Sequence, residues 1–418
     1  MNAISGDAFL VASSIKVLVI FTMLMVLIAL WTLVERRVCG FIQNRLGPNR
    51  VGPLGLLQPA ADGLKNFFKE ETLPPFADRG LFMLAPMMAF VPALLTFAII
   101  PMAAPVPTPW GLVGTEIADL PVGFLFILAV SSLGVYGIAL AGWSSNNKYA
   151  LLGGLRAAAQ MISYEIAMGL SLVALLVLSG NITLNAIVAQ QQASHTWYIV
   201  PLFVAFFLFL VSAFAETNRL PFDLPEAEAE LVAGYHTEYS AMKFSMFYIA
   251  EYSNMVTASA LITTLFLGGW DIPFTQWDNA APWTLGKTFA TFAAFWSKTL
   301  FFMFLYVWVR WTLPRFRFDQ LMDLGWKVML PVALVYVMVI ATVVAVLEVA
   351  AVRIGPLYMW ILGAVNLVIA VLFFWVFDRR RLIGGAGGSR ARRVWRAEAE
   401  RTIAAEHDAA LERAAQGD

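Results

Sequence analysis

The sequence is poor in the residues that hold redox cofactors and crosslinks. Its 418 residues include a single cysteine, Cys39, which excludes an internal disulfide, a CxxC pair and a cysteine framework for an iron–sulfur cluster. The three histidines, His195, His236 and His407, fall on predicted loops and in the C-terminal tail, so a haem held by two histidines within a helix bundle is also excluded. No GxGxxG or Walker pattern is present. If the protein takes part in redox chemistry, other chains must carry the cofactors.

Charged residues are scarce as well. They make up 13% of the chain, against 60% hydrophobic residues, and the mean hydropathy is +0.73. A soluble domain is about one-quarter charged, so this composition indicates an integral membrane protein. About 20 apolar residues cross a bilayer as a helix. We predict an all-α integral membrane protein with about nine transmembrane helices, at residues 11–34, 81–101, 121–142, 157–179, 198–215, 244–268, 291–313, 328–349 and 356–377.

The basic residues are distributed unevenly. With the N-terminus outside, the predicted inner loops and tail hold all but four of the 28 Lys and Arg residues, although the formal net charge is zero. Basic residues concentrate on the cytoplasmic side of membrane proteins, so this asymmetry predicts a cytoplasmic C-terminus. Arg310, at the end of the seventh span, and Arg315 and Arg317, just after it, are either part of that signal or contacts to a soluble partner.

The segment 35–79 is too polar to cross the bilayer. Its turn-forming stretch GPNRVGPLG is followed by apolar residues at helical spacing, with polar residues on the opposite face. The apolar positions are Leu57, Ala60, Ala61, Leu64, Phe67 and Phe68. This pattern predicts an amphipathic helix at the membrane surface, which either anchors the chain or lines a site.

The C-terminal part differs from the rest. We predict a membrane core at residues 1–349, an additional transmembrane helix at 350–377 and a basic cytoplasmic tail at 378–418. The tail passes through a flexible GGAGG stretch into an Arg/Glu/Ala-rich helix that is solvated or docks a partner. The chain has no convincing internal repeat, which weakens the case for an inverted-repeat transporter.

The segment from Glu216 to Glu251 is rich in acidic residues. Only Arg219 and Lys243 offset its carboxylates, and the segment lies between two long apolar runs. The seven acids are Glu216, Asp223, Glu226, Glu228, Glu230, Glu238 and Glu251. The pattern predicts a structured acidic cytoplasmic loop that handles protons or cations, or holds a charged partner.

Within this loop, Pro225 suits the first turn of a helix. Glu226 and Glu228 would then stabilise the positive end of that helix, which is an ordinary structural role. Glu226 and Glu230, however, are four residues apart and place like charges on one helical face. Near a low-dielectric boundary such a pair favours a retained proton and a coupled titration, so we favour proton handling.

Two acids lie within predicted spans. Glu165 is about two turns, or roughly 12 Å, inside the fourth span, and Glu251 is similarly placed in the sixth. Intramembrane acids are costly and usually face a polar cavity or a partner, although a structural bond to a neighbouring helix is the alternative. We expect Lys298, in the seventh span, to be the cation that pairs with them.

Charged residues also end the first predicted span. Arg37 is typical of an anchor that extends to the membrane surface. Glu35 and Arg36 could instead border an opening between this span and the surface helix, which carries Asp62 and Lys65.

Three long stretches resemble one family. They are ERRVCGFIQNRLGPNRVGPLGLLQPAADGLKNFFKE, AETNRLPFDLPEAEAELVAGYHTEYS and WVRWTLPRFRFDQLMDLGWK, and they are similar to the signature blocks of the H subunit of the proton-pumping NADH:quinone oxidoreductase, respiratory complex I. This subunit is the counterpart of the first mitochondrially encoded one. The resemblance extends over about residues 11–349. It leaves the ninth span and the tail outside the eight-span core of the family, so it implies no role for them.

The resemblance implies a subunit that joins a membrane arm to a hydrophilic arm and forms most of a narrow quinone chamber. The residues implied for the chamber or its entrance are Glu35, Arg36, Asp62, Lys65 and Phe222. An acidic path would lead from the chamber through Asp223, Glu226, Glu228, Glu230, Glu216, Glu165 and Glu251. Gly63, beside Asp62, would leave room for a bulky headgroup.

The resemblance also implies the partners and the chemistry. The chain would be part of an enzyme, with quinone as substrate and with no metal or redox cofactor of its own. Its partners would be the Fe–S subunits of the hydrophilic arm, antiporter-like membrane subunits and the lipid bilayer of a bacterial inner membrane, but not nucleic acid. Quinone reduction takes up two protons, and acids nearby would respond through shifted pKa values. Reorganisation around Gly234 could pass this response to Glu251 and Glu165.

Other functions are compatible with parts of the sequence. A homologous subunit of a membrane-bound hydrogenase or of a ferredoxin- or F420-dependent complex would share the fold, but the complete ELVAGYHTEYS block and the GPNRVGP turn favour the quinone enzyme. A proton-coupled transporter acting alone would explain the buried acids but not the large charged inner loops. A passive membrane anchor would need neither Glu165 nor Glu251.

Overall fold

The long apolar runs form helices throughout the chain. The computed structural model describes residues 6–109, 111–223, 234–273, 275–279, 281–352 and 355–380. The first six helices are α1 (Gly6–Ile42), α2 (Gln58–Phe68), α3 (Arg79–Leu95), α4 (Gly123–Ser144), α5 (Lys148–Ser179) and α6 (Leu184–Ser194). The others are α7 (Phe203–Glu216), α8 (Ala241–Phe266), α9 (Leu285–Thr312), α10 (Phe318–Asp323), α11 (Leu330–Val349) and α12 (Pro356–Arg380). The predicted all-α fold class is confirmed.

Little other regular structure is present in the described ranges. Short 3₁₀ turns occur at Pro53–Gly55, Thr96–Ile99 and Gly234–His236. Two three-residue strands, β1 (Val106–Thr108) and β2 (Gly111–Val113), form an antiparallel hairpin in which Val106 pairs with Val113.

The chain divides into two units. The first, Met1–Ala364, contains α1–α11 and the start of α12, and the second, Val365–Asp418, contains the remainder of α12 among its described residues.

Seven helices of the described chain are long and apolar enough to cross a membrane, and they correspond to seven of the nine predicted spans. The other two predictions fall on α7 and α8. At 14 residues, α7 is about 21 Å long and shorter than the hydrocarbon core of a bilayer. At 26 residues, α8 has the required length but carries Lys243, Glu251 and several hydroxyl residues. Because most of its second half is buried within the protein, α8 does not need an apolar surface towards lipid.

Helix α5 occupies a central position. It packs against α4, α7 and α11, while α8 packs against α3 and α9. One close approach depends on glycine: a Cβ atom on Gly153 would lie 2.6 Å from the Cα of Gly234, which itself adopts a φ of 65°. The 3₁₀ turn after the acidic loop can therefore rest directly on α5.

The first two helices extend or confirm the predicted elements. Helix α1 continues to Ile42, so Glu35 is not at a helix end as predicted but lies inside the helix, where it is buried. The predicted surface helix is confirmed as α2, which has no buried residue; its Phe67 and Phe68 are 67% and 80% exposed.

The helix that begins at Phe318 changes its hydrogen-bonding pattern before α11. Residues Leu324–Met329 form a π-helical turn between α10 and α11. Pro331 follows closely, and its nitrogen has no proton to donate, so the regular α-helical pattern already lacks one hydrogen bond here.

Candidate functional site

Four largely buried charges meet where α1, α8 and α9 approach the loop after α7. The Nη1 atom of Arg219 lies 3.0 Å from Oε1 of Glu35, and its Nε lies 2.5 Å from Oε1 of Glu251. Arg310, near the end of α9, places its Nη1 2.5 Å from the same Glu35 oxygen. We call Glu35, Arg219, Glu251 and Arg310 the charge cluster. Two carboxylates face two guanidinium groups, so the cluster can be neutral overall.

Two tyrosines extend the charge cluster along α8. The Tyr252 hydroxyl donates a hydrogen bond to Oε2 of Glu35 at 2.5 Å, and the hydroxyls of Tyr248 and Tyr252 are 3.0 Å apart. The guanidinium of Arg219 lies 4.4 Å from the centre of the Tyr252 ring, a favourable cation–π distance. Each oxygen of Glu35 therefore has at least one donor, as a buried carboxylate requires.

Burial and the neighbouring carboxylates act on Arg219 in opposite directions. Burial alone would lower the pKa of its guanidinium, but the carboxylates of Glu251 and Glu35 raise that pKa well above its ordinary value. The group is therefore permanently charged. Its Nη2 atom is buried and has no hydrogen-bond partner within the described part of the chain.

A small cavity lies beside Arg219. It offers about 10 Å³ to water, and its lining includes Asn218, Arg219, Asp223, Glu251 and Arg310. This is close to the space that one water molecule needs, and polar groups surround it. A water molecule here could accept from Arg219 and donate to a carboxylate.

A second cavity continues from the charge cluster towards α7. It offers about 30 Å³ to water and is lined by Glu216, Glu251, Asn218 and Asn254 together with apolar residues of α3, α4 and α5. That is room for one or two water molecules. Beyond it, Glu165 on α5 is close enough to Glu216 for their charges to interact. The structure thus brings three predicted acids, Glu251, Glu216 and Glu165, into one succession.

The loop between these acids is held by Gln160 of α5. Its Nε2 donates to the carbonyls of Ala215 and Phe222 at 2.9 and 2.8 Å and approaches Oδ1 of Asn218 at 3.2 Å. Gln160 is fully buried. One amide group therefore fixes both the end of α7 and the start of the acidic loop.

Phe222 and Asp223 mark the end of the described loop. The Phe222 ring is buried between Tyr164 and Phe316, with ring centres 5.4 and 5.5 Å away. Asp223 accepts a hydrogen bond from Nη2 of Arg315 at 3.3 Å. The sequence left Arg315 as either a topology signal or a contact to a soluble partner. The structure shows that it is an ion-pair partner of the acidic loop.

The remaining predicted chamber residues lie apart from the charge cluster. Nη1 of Arg36 is 2.6 Å from Oδ2 of Asp62, and these side chains are 53% and 33% exposed. Lys65 is also exposed, and a Cβ atom on Gly63 would meet nothing within 4 Å. The structure therefore separates Glu35, which is buried in the charge cluster, from an open polar face that joins α1 to α2.

The prediction for Lys298 is wrong. Its amine pairs with neither Glu165 nor Glu251 but donates to the carbonyls of Leu267, Gly269 and Asp271 at 2.8, 3.0 and 2.6 Å. Lys298 therefore holds the loop that follows α8, whose carbonyls have no partner within the helix. Arg310 lies 12 residues, about 18 Å, further along α9, and it is this basic residue of α9 that joins the charge cluster.

Asp271, in the same end region, is held by an indole. The Trp197 ring nitrogen donates to its Oδ2 at 2.9 Å. Burial raises the pKa of the Asp271 carboxyl, and the hydrogen bond from Trp197 partly counteracts that shift. This group belongs to the cap of α8 and not to the succession of acids.

Three residues of the site were not singled out as functional from the sequence. Arg219 was counted only as an offset to the acids, and Tyr252 and Gln160 were not singled out. A signal for Arg219 exists, since it is a lone basic residue shortly after an apolar helix that ends in an acid, Glu216. The predicted path residues Glu226, Glu228 and Glu230 lie outside the described residues.

No metal site is evident in the described ranges. Across these residues, no three His, Cys, Asp or Glu side chains come together in a group that could hold a metal ion. The carboxylates and tyrosine hydroxyls of the charge cluster are groups that can bind and release protons.

Comparisons with known proteins identify the family. A family model described as NADH dehydrogenase matches residues 15–341. An H subunit of NADH-quinone oxidoreductase from Koribacter versatilis is 51% identical over 350 residues, which cover 81% of this chain and 98% of that protein. An H subunit of the same enzyme from Geobacter metallireducens is 52% identical over 324 residues, which cover 78% of this chain and 94% of that protein. The H subunit from Leptospira biflexa is 50% identical over 339 residues, which cover 79% of this chain and 94% of that protein.

The family match covers most of the chain and includes all three stretches that carry the resemblance. Identities near 50% over almost the whole length of these relatives leave no room for a chance match. The predicted resemblance is confirmed, and with its membrane-length helices this chain is a multi-pass membrane protein that belongs to the NADH dehydrogenase family.

Proposed function

We propose that the chain is the membrane subunit that forms much of the quinone chamber of an NADH:quinone oxidoreductase and couples quinone reduction to proton translocation. The names of its relatives support the enzyme. The charge cluster and the acids that follow it support the coupling, because they form a buried polar route through an otherwise apolar protein.

The chamber would lie between the surface helix and the start of the acidic loop. Arg36, Asp62 and Lys65 form its polar face, and Phe222 would close it towards α5. The open space at Gly63 leaves that face accessible to a bulky headgroup. Glu35 contributes from the buried side, since it belongs to α1 as Arg36 does but faces the charge cluster.

The proton path would begin at the loop and end at α5. Asp223 and the charge cluster come first, Glu216 and Glu165 follow, and water in the two cavities connects them. We retain Glu226, Glu228 and Glu230 as predicted members of the route. Reduction of a quinone takes up two electrons and two protons, so the local charge changes and buried acids respond by binding or releasing protons.

The partners and the orientation follow from the same proposal. Electrons would arrive from Fe–S subunits of a hydrophilic arm, and antiporter-like membrane subunits would continue the path beyond Glu165. The excess of basic residues in the predicted inner loops favours an N-terminus outside and a C-terminus in the cytoplasm of a bacterial cell. The family match ends at residue 341, and beyond the membrane core we propose only an additional span at 350–377 and a basic tail at 378–418.

The observation that carries the proposal is the pairing of Glu35 with two arginines and a tyrosine. Its replacement, Glu35→Gln, keeps the shape but removes the charge that balances Arg219 and Arg310. We expect quinone-dependent NADH oxidation in native membranes to fall about 10- to 100-fold, because a small misplacement at a reaction site has that effect. NADH oxidation by a water-soluble acceptor, which bypasses the quinone, should persist in the assembled complex.

A matched control is Asp319→Asn, which neutralises an acid that is 71% exposed and outside the route. It should retain both activities. If Glu35→Gln assembles normally and keeps the parental quinone-dependent activity, the charge cluster has only a structural role and the proposal is contradicted. Purification from native membranes separates the alternatives further, since a transporter or an anchor working alone would carry no redox subunits with it.

A further inference from the structure

One face of α8 borders the larger of the two cavities. Phe247, Ala250, Glu251 and Asn254 line it, and their spacing of three or four residues places them along one side of a helix. Glu216, at the end of α7, is the other acid of this cavity, and the lining residues from α3, α4 and α5 are apolar or glycine. Water between the two acids therefore meets few polar side chains.

Two of the neutral polar side chains around the cavity are already engaged by the protein. The Thr217 hydroxyl donates to the carbonyls of Ala213 and Phe214 at 2.9 and 3.2 Å. Oδ1 of Asn218 accepts a hydrogen bond from Nε2 of Gln160 at 3.2 Å, within the contact that fixes the loop after α7. These hydrogen bonds hold both side chains in place and limit how far they can serve water.

Asn254 is the neutral side chain of this lining that remains available. It stands one turn after Glu251, it is half-buried, and its amide has no hydrogen-bond partner among the described residues. An asparagine amide offers an acceptor oxygen and two N–H donors. Because the amide neither gains nor loses a proton near neutral pH, it can orient a water molecule without retaining the proton that the water carries.

We propose that Asn254 is a positioning residue that orients the water between Glu251 and Glu216. The inference rests on the proposed function, because it assumes that protons pass between these two acids. Protonated Glu251 gives its proton to a lone pair of the water, and the water gives one of its own hydrogens to the Glu216 carboxylate. One O–H bond of the water forms as another breaks, so the water is regenerated and one proton has moved. The Asn254 oxygen accepts the water's other hydrogen, which keeps a lone pair directed at Glu251.

The test compares Asn254→Val with Asn254→Thr in native membranes. The two new side chains have nearly the same shape and differ by a methyl group in place of a hydroxyl. The measurement is the initial rate of quinone-linked proton translocation per assembled complex. We expect Asn254→Val to lower this rate about 10-fold, because the water loses the group that orients it. Asn254→Thr should stay within about twofold of the parent, since a hydroxyl can also accept from and donate to water.

A second readout separates orientation of water from a general structural defect. In Asn254→Val the transfer through water becomes the slow step, so the ratio of the rates in H₂O and D₂O should rise above the parental ratio. Equal losses in Asn254→Val and Asn254→Thr would attribute the effect to packing and overturn the proposal, as would parental rates in both. Should Asn254→Val not assemble, Asn254→Leu replaces it, since leucine has nearly the shape of asparagine and no polar group.

A Glu216→Gln variant separates this inference from the proposed function. If Glu216→Gln lowers proton translocation while Asn254→Val matches the parent, the positioning role is overturned and the proton path stands. If Glu216→Gln itself matches the parent, the path through Glu216 is overturned, and the positioning role with it.

Discussion

Replacing Arg219 with methionine is expected to destabilise the protein strongly. Arg219 is 4% exposed and pairs with both Glu35 and Glu251. After Arg219→Met, Glu35 keeps its partner Arg310, but Glu251 loses its ion-pair partner while only 17% of its side chain is exposed. Removing one member of a buried ion pair costs about 3–5 kcal/mol, because the remaining charge stays buried without compensation.

A double-mutant cycle distinguishes this cause from a simple loss of packing. Glu251→Gln removes the charge that Arg219→Met would leave uncompensated. The double variant should therefore be more stable than the sum of the two single changes predicts, with a coupling energy of about 1–3 kcal/mol. The double change keeps the Tyr252 ring and its hydrogen bond to Glu35 in place.

The measurement is the half-life of the assembled complex at a fixed elevated temperature, followed by native electrophoresis. A loss of 3 kcal/mol shortens that half-life by up to about 100-fold if it acts entirely on unfolding. Lys243→Met is the matched control, since its partner Glu71 is 51% exposed and such pairs contribute about 1 kcal/mol or less. Equal half-lives for Arg219→Met and Lys243→Met, or strictly additive single effects, would refute the reasoning.

Three other outcomes are expected. Lys298→Met leaves three carbonyls of the loop after α8 without this donor and should destabilise the complex by about 1–3 kcal/mol. The number of protons translocated per electron should stay at the parental value, and a lowered number would place Lys298 in the path. Gly153→Ala forces a Cβ atom against the backbone of Gly234 and should destabilise the complex by about 1–3 kcal/mol. In the control Gly134→Ala the added Cβ atom meets nothing within 4 Å, so stability should change little, and equal thermal half-lives of the two variants would contradict the close approach. Asp62→Asn breaks an exposed ion pair and should leave the half-life unchanged while raising the KM for quinone, and an unchanged KM would remove Asp62 from the chamber.

The sequence predicted the helices well wherever a run of apolar residues was long enough to cross a bilayer. Seven predicted spans coincide with helices of membrane length and apolarity, because each needed about 20 apolar residues in succession. The prediction was least accurate for α7 and α8. Helix α7 is apolar but only 14 residues long, and α8 is long enough but carries charged and hydroxyl residues that face protein neighbours.

The acids of the site could be recognised, but their partners could not. Glu165, Glu216 and Glu251 stand out because charge is costly within an apolar stretch. Lys298 appeared to be their counter-ion because it is the basic residue inside the seventh span. Instead, Arg219 pairs with Glu251 and Arg310 pairs with Glu35. Both lie near the end of a helix, where a basic residue also has an ordinary explanation as a topology signal.

The sequence by itself determined that this protein is an α-helical membrane protein, which family it belongs to, and that its acids are functional candidates. These properties follow from composition, local periodicity and long stretches of residue identity, which need no knowledge of contacts. Only the tertiary structure decided that Glu35 joins Arg219, Arg310 and Tyr252 while its neighbour Arg36 joins Asp62. Partners separated by up to 275 positions meet through helix packing, and successive residues of one helix point in different directions, so no local pattern specifies the pairs.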